Sequence, residues 1–514
     1  MNNKLQTNRR IVLSLISAGA LVVTVILLGG CKKMLDIDSS RVVAEENMWN
    51  SLEDTRAALL GTYGLTRAAL ADHNAYWLYG DVRAGEFASP TRQDLRAIID
   101  NDLTASYPSI DALSDWRRWY AVINSANIFL ERAPQVREKD LRYSANNLVV
   151  DIAQIRFLRA FAYFYMVRIW GDVPLITSSY DGKFEDKPRE NMDRVLAWAE
   201  QEMLAAAIDL PLRYSVDDPQ QQGDYYNANE TRWDGALVRK LTVYAMLAHL
   251  AAWQGNYPDA ANYSKVVLDA YGAAAMGYIS TAHLTDANGF FFNKRTNQLF
   301  GFAFDWGHVD ASFTGHIEEL TLAEPVVNKQ VPDIYLPKDS IITIFNEAGD
   351  ERFALDTLGT PVADRYFSNY HGKYPIFSKI KCIMGGVSDP SFRIFSSAIV
   401  LTRLEDITLL RAEALAVLGE RQGAIDLLNE IRTRRGLDPY NEDINGDLIS
   451  NIFRERQREL MGEGHRWYDL VRYNRIRPSH PVISQLINNG GIYWPVSRTL
   501  LAQNNQLTQN AYWQ

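Results

Sequence analysis

Two segments of the chain share a pattern that restricts the fold more than any other feature. Leu241 to Trp253 is apolar at helical spacing and runs into Gly255-Asn256-Tyr257-Pro258-Asp259-Ala260. Leu404 to Leu418 repeats the arrangement, with Leu404, Ile407, Leu410, Ala414 and Val417 on one face, and runs into Gly419-Glu420-Arg421-Gln422-Gly423-Ala424. Recurrence at three- and four-residue steps marks a helix with one apolar face. Gly permits a tight turn, and the Ala that follows at the same spacing in both lets a second helix approach closely. Each segment then continues into that second helix.

Such helix–turn–helix pairs are similar to the units of tetratricopeptide-like repeats. They are not tandem, so other structure is inserted between them. Further helices are predicted over 45–71, 116–132, 151–170 and 191–210. The third carries Ile152, Ile155, Leu158, Ala162, Tyr165 and Ile169 at helical steps and is stopped by Gly171 and Pro174. Residues 72–108 read as irregular. Ala273 to Ser397 is rich in Gly, Pro, Asp, Asn and aromatics, and short strands are expected at 298–304 and 341–345. The predicted fold is mainly α: tetratricopeptide-like helix pairs form a scaffold that carries a loop-rich, irregular binding subdomain. Loops held by a rigid scaffold are the usual carriers of binding residues.

The first residues follow another logic. Lys4, Arg9 and Arg10 precede an uncharged, mostly apolar run from Ile11 to Leu28, and Leu28-Gly29-Gly30-Cys31 closes it. That is the layout of a secretory signal, and a Cys after two small residues resembles the lipobox of bacterial lipoproteins. There the chain is cut before the Cys, and acyl chains on it hold the protein to a membrane at about 0.8 kcal/mol per buried CH₂. The other reading is an uncleaved anchor, since the run as a helix spans ~27 Å. Residues 1–30 hold three basic residues and no acids. The remaining 484 residues carry 50 Lys and Arg against 62 Asp and Glu, a formal charge of −12. An acidic body of this kind argues against nucleic-acid binding. With Cys31 acylated only Cys382 is left, which excludes an intrachain disulfide and Cys-based metal sites.

No His-Glu-x-x-His, Gly-x-Ser-x-Gly or phosphate-loop motif is present. Asn441 to Asp447 mimics the front of a calcium loop, but Ile452 stands where the bidentate Glu belongs, so a turn before a helix is expected, with no metal and no cofactor. Glu455, Glu459 and Glu463 recur every four residues and share a helical face. A carboxylate pair would suit glycoside hydrolysis. Arg454, Arg456, Arg458 and Arg466 around them point instead to ion pairs, which depress carboxylate pKa values, and His465 reads as structural for the same reason.

Several separated blocks, in order, resemble the SusD/RagB-like outer-membrane lipoproteins. They are Arg156 to Tyr163 with Gly171 to Leu175, Leu409 to Ala414, Leu428 to Arg434 with Gly436-Leu437, Glu455 to Leu460, Glu463 to Arg472, Tyr493 to Val496 and Asn510 to Tyr512. Departures from the family pattern are Met461, Val496 and Ala511. The resemblance divides the chain into a signal peptide (1–30), an N-terminal SusD-like helical region (31–272), the loop-rich insert (273–397) and a C-terminal SusD/RagB helical region (398–514). It implies a protein lipid-anchored at Cys31 to the cell outer membrane, facing outward. It also implies a partner, a SusC-like TonB-dependent outer-membrane transporter, and a nutrient ligand, glycan or peptide, delivered to that channel without catalysis.

Sugars are held by flat aromatic faces together with planar polar side chains. Two stretches supply both, His73 to Tyr79 and Phe302 to His308. From these, Tyr76, Trp77, Asp305, Trp306 and His308 are the candidate ligand-binding residues, each with a core reading beside it. A lipoprotein glycosidase and a purely protein-binding repeat scaffold are the competing functions.

Overall fold

The computed structural model describes residues 48–180, 186–221, 223–305, 314–385 and 393–514. The candidate residues Cys31, Trp306 and His308 lie outside that set. Among the described residues no helix is long and apolar enough to cross a membrane.

Local chemistry sets the helix boundaries. Helix α1 (Leu52–Ala71) begins later than the sequence pattern suggested, because Ser51 and Asp54 close a reciprocal capping box there. After it come α2 (Ala75–Gly80), α3 (Arg117–Lys139), α4 (Ala145–Trp170) and α5 (Met192–Asp209). Helix α3 runs past Arg132 and contains Pro134. Helix α4 is capped by Ser144 and ends at Gly171, whose φ of +72° suits glycine. The two predicted pairs appear as α6 (Lys240–Gln254) with α7 (Tyr257–Ala270), and later as the pair that follows the insert.

The insert passes through a five-residue helix (Thr281–Thr285) before strand β1 (Phe300–Phe302), then short helices α8 (Ile317–Thr321) and α9 (Lys338–Ile344) and several two- and three-residue strands. Helix α9 corrects the strand expected at 341–345. Ile341, Ile342 and Ile344 fit either period, but Pro337 stands at the N-cap and Asp339 in the first turn, both of which favour a helix start. The chain returns through β2 (Ile399–Thr402), antiparallel to β1 with Gly301 opposite Val400. A Cβ on Gly301 would fall 2.8 Å from the Ile399 carbonyl, so the pairing requires glycine there. The second pair, α10 (Leu404–Val417) and α11 (Arg421–Arg434), precedes α12 (Leu448–Glu459) and α13 (Arg466–Ile476).

Neighbouring helices pack in chain order: α1 on α3, α3 on α4, α4 on α5, α5 on α6 and α6 on α7. Helix α7 then packs on α10, so the two pairs, distant in sequence, stack as neighbours. Ala260 and Ala424, the small residues of the repeated spacing, are both fully buried. One hydrophobic core runs from Trp49 to Leu500, and a small satellite of Leu322, Ala323, Val327, Ile376 and Phe395 serves the insert. Where a turn was expected, Asn441 to Asp447 holds a single helical turn (Glu442–Asn445) capped by Asn441 through the Asp443 amide, and Asp447 caps α12 through the Ser450 amide.

Candidate functional site

Where α1 ends, two consecutive residues adopt left-handed backbone conformations: His73 (φ 57°) and Asn74 (φ 55°). Neither is glycine, and each such residue costs on the order of 1–3 kcal/mol, a strain that concentrates at functional sites. The turn borders a cavity of about 620 Å³. Arg67 and Ala71 of α1 line one side, Arg92, Leu95 and Ser109 a second, and Phe304, Gly315 and Glu319 of the insert a third. Both stretches singled out in the sequence therefore reach the same cavity, one through His73 and Asn74 and the other through Phe304.

Asn74 is the most informative residue of the wall. Its amide nitrogen donates to Glu319 Oε2 at 2.8 Å. Its Oδ1 is buried and has no hydrogen-bond partner among the described residues. Burial pushes the Glu319 carboxyl above its ordinary pKa, opposed by the bond from Asn74. Phe304 is 8% exposed, with the Arg67 guanidinium 4.8 Å above its ring and the His316 ring edge-on at 4.5 Å. Burial holds His316 down to about 4, so it is neutral at neutral pH. Arg92 chelates Asp94 at 2.6 and 2.8 Å and so presents a fixed cation at the rim. Apolar floor, buried acceptor and fixed donors together suit a ligand with C–H faces and hydroxyls or amides.

The structure corrects the choice of Tyr76 and Trp77. They are 3% and 2% exposed. The Tyr76 hydroxyl donates to the Glu463 carbonyl at 2.6 Å, and the Trp77 indole donates to the Gly462 carbonyl at 3.2 Å. No ring face is left for a sugar: α2 turns both inward, beneath the wall that His73 and Asn74 form. Asp305 is half-buried beside Phe304. Asn74 was missed as a candidate because its sequence signal is weak; Asn tolerates left-handed backbone better than most residues, but nothing local reveals that its oxygen goes unpaired.

The carboxylate row is structural, and only Glu455 and Glu459 share the face of α12: the helix ends at Glu459 and Glu463 lies in the turn beyond it, which corrects the expected run of three. Glu455, Glu459 and Glu463 are 1%, 0% and 2% exposed. Glu459 receives Arg352 at 3.0 Å, Arg403 at 2.8 Å and Arg435 at 2.7 Å. Although burial opposes it, these guanidiniums hold Glu459 well below the ordinary carboxylate range. The partners differ from those expected: Arg456 turns to Asp406 and Asp469, Arg466 pairs with Glu86, and of the neighbouring arginines Arg458 approaches Glu455 at 3.6 Å.

Comparison with known proteins agrees with this architecture. The SusD family matches residues 387–480, and a family described as starch-binding, associating with the outer membrane, matches residues 82–222. The SusD-like protein P38 of Formosa agariphila is 25% identical, covering 94% of this chain and 96% of that one. A SusD homolog of Bacteroides thetaiotaomicron shares the fold at a TM-score of 0.74 and 23% identity, over 91% of this chain and 100% of that one. A SusD superfamily protein of the same species is 47% identical, with a TM-score of 0.83, over 91% of this chain and 100% of its own. Identity of that size over the whole of a solved relative, with the same stacked helix pairs and inserted loops, makes this chain a member of the SusD superfamily.

Proposed function

We propose that this protein is a non-catalytic outer-membrane lipoprotein that binds a glycan in the cavity between α1 and the insert and hands it to a SusC-like TonB-dependent transporter. The unpaired Asn74 Oδ1, buried on a strained turn in the wall of a 620 Å³ cavity, carries this reading. A hydroxyl satisfies that acceptor, while Phe304 offers an apolar surface nearby. The family description of starch binding at the outer membrane supports the ligand class and the location. The Leu28 to Cys31 ending supports a lipid anchor at Cys31. Asp305, Trp306 and His308 follow Phe304 directly and belong to the same proposed site. The absence of catalysis is supported by the α12 carboxylates, which are consumed in ion pairs and so poorly suited to acid–base work.

The decisive experiment is a glycan and peptide array, followed by calorimetric titration of the best ligand against the wild type, Asn74→Gly and Trp306→Ala. Each variant is expected to weaken binding about tenfold or more, as loss of one hydrogen bond or stacking face worth ~1.4 kcal/mol requires. No new reducing ends should appear on prolonged incubation. Preferential binding of peptides, unchanged affinity in both variants, or turnover would each overturn the corresponding part of the proposal.

A further inference from the structure

Away from the cavity, the core holds a set of side chains with the composition of a metal site. His249 stands on α6, Asp406 in the first turn of α10 and His465 immediately before α13. They are 5%, 0% and 6% exposed. His249 Nε2 lies 2.7 Å from Asp406 Oδ2, and His465 Nε2 lies 3.9 Å from the same oxygen. One ligand atom from each falls within 4.8 Å of the other two.

Two observations set this group apart from an ordinary buried ion pair. First, the His465 ring stacks on that of His249, with centroids 5.7 Å apart, and reaches Asp406 only at 3.9 Å, beyond hydrogen-bond length. Second, His465 lines two cavities of about 10 Å³ each, one of them shared with His249. That volume is on the order of one water-sized probe.

The surrounding charges favour a cation. Asp406 pairs with Arg456 at 2.9 Å, Arg456 with Asp469 at 2.9 Å, and Arg472 with both Asp469 and Glu413 at 2.8 Å. Three carboxylates thus face two guanidiniums. Arg168, Arg466, Asp81 and Glu86, two of each sign, also border the two cavities and leave that excess unchanged.

We propose that His249, Asp406 and His465 bind one divalent transition-metal ion of the zinc type, with water completing the coordination. Tetrahedral zinc with bonds of about 2.0–2.1 Å needs ligand atoms ~3.3 Å apart, and the observed 2.7 and 3.9 Å bracket that spacing. Two imidazoles and a carboxylate suit zinc better than calcium or magnesium, which take oxygen ligands. The Thr402 hydroxyl donates to the same Oδ2 at 2.7 Å and Arg456 stands 2.9 Å from Oδ1, and partners of this kind fix the orientation of a metal-bound carboxylate. The ion ties the first helix pair, the second pair and α13 together, and its role is structural.

The test uses the untagged full chain, equilibrated with zinc, dialysed against metal-free buffer and assayed for metal by mass spectrometry. About one zinc per chain is expected, with a higher unfolding temperature than the chelated protein and, after cobalt substitution, the visible absorption of a tetrahedral site. His249→Ala, His465→Ala and the milder His465→Gln should each lose the zinc and the zinc-dependent rise in unfolding temperature. His371→Ala, at an exposed position, should keep both. Wild-type protein that retains no zinc and unfolds at the same temperature with and without it overturns the proposal, whatever the variants do. Equal zinc retention in the wild type and His465→Gln does so as well.

Discussion

Asn74 joins two properties that substitution can separate, a left-handed backbone and an unpaired oxygen. Asn74→Gly relieves the backbone and removes the oxygen, so ligand binding should fall while thermal stability stays near wild type. Asn74→Ala adds about 1 kcal/mol of backbone strain and should lose both, and thermal scans beside titrations distinguish the two. Asp151 offers a second test at this scale. It accepts hydrogen bonds from Tyr143, Tyr225 and Tyr226, and burial nevertheless raises its carboxyl to about 7 from the ordinary 3.8. Between those values the folded chain holds a proton that the unfolded chain has released. Its contribution is therefore complete below about pH 4 and is lost as pH rises through about 7. Asp81 and Glu318, also raised to about 7 by burial, act in the same direction. Asp151→Asn should flatten the fall in unfolding free energy between pH 5 and pH 8 by on the order of 2 kcal/mol. Parallel urea-denaturation profiles at the two pH values would refute this.

At the level of elements, the close contact between α2 and the turn Gly462–Gly464 explains both a success and a failure of sequence reading. Some helix ends were legible because their causes are local: Asn191 caps, and Gly171, Gly255 and Gly419 turn the backbone at positive φ; the start of α4 was not, since the expected 151 lies six residues inside a helix that Ser144 caps. The stacking of the two helix pairs was legible in outline from their shared spacing. The inward direction of α2 was not, because it depends on a turn far along the chain. A Cβ on Gly80 would stand 2.1 Å from the Gly464 carbonyl oxygen, and one on Gly464 2.4 Å from the Tyr76 ring. Only with glycine at both places can Tyr76 and Trp77 reach the turn's carbonyls. Aromatic content marked a stretch that borders the cavity, and tertiary contact decided which of its residues face it. Gly464→Ala, which adds a clash to the strain of φ +75°, should destabilise by about 3 kcal/mol or more. Gly419→Ala, at φ +83° with no atom near its Cβ, should cost only ~1 kcal/mol. Paired chemical denaturation of the two variants measures the difference.

The whole molecule is held together by the buried charges that the sequence assigned to one helix. Asp350, Arg352 and Lys379 come from the loop-rich insert, whereas Glu455 and Glu459 come from α12 and Arg403, Arg435 and Glu463 from the caps and turn between the C-terminal helices. Lys379 also donates to the Glu459 and Met461 carbonyls at 2.9 Å. The insert has small strand pairs and an aromatic cluster of its own, but β1 pairs with β2 and one core spans both parts. The shared core predicts that a division at 273–397 is a change of texture along the chain rather than a boundary between units that fold separately. Glu459→Ala leaves Arg352, Arg403 and Arg435 without their shared acceptor in a dry interior, a loss on the order of 3–5 kcal/mol. If the insert and scaffold are one cooperative unit, calorimetry should show a single transition shifted down by several degrees, with circular dichroism and tryptophan fluorescence coincident. A fragment of residues 273–397 alone should show no cooperative unfolding. Two resolved transitions in the variant, or a fragment that melts cooperatively, would mean that the insert is a domain in its own right and that the ion network only docks it.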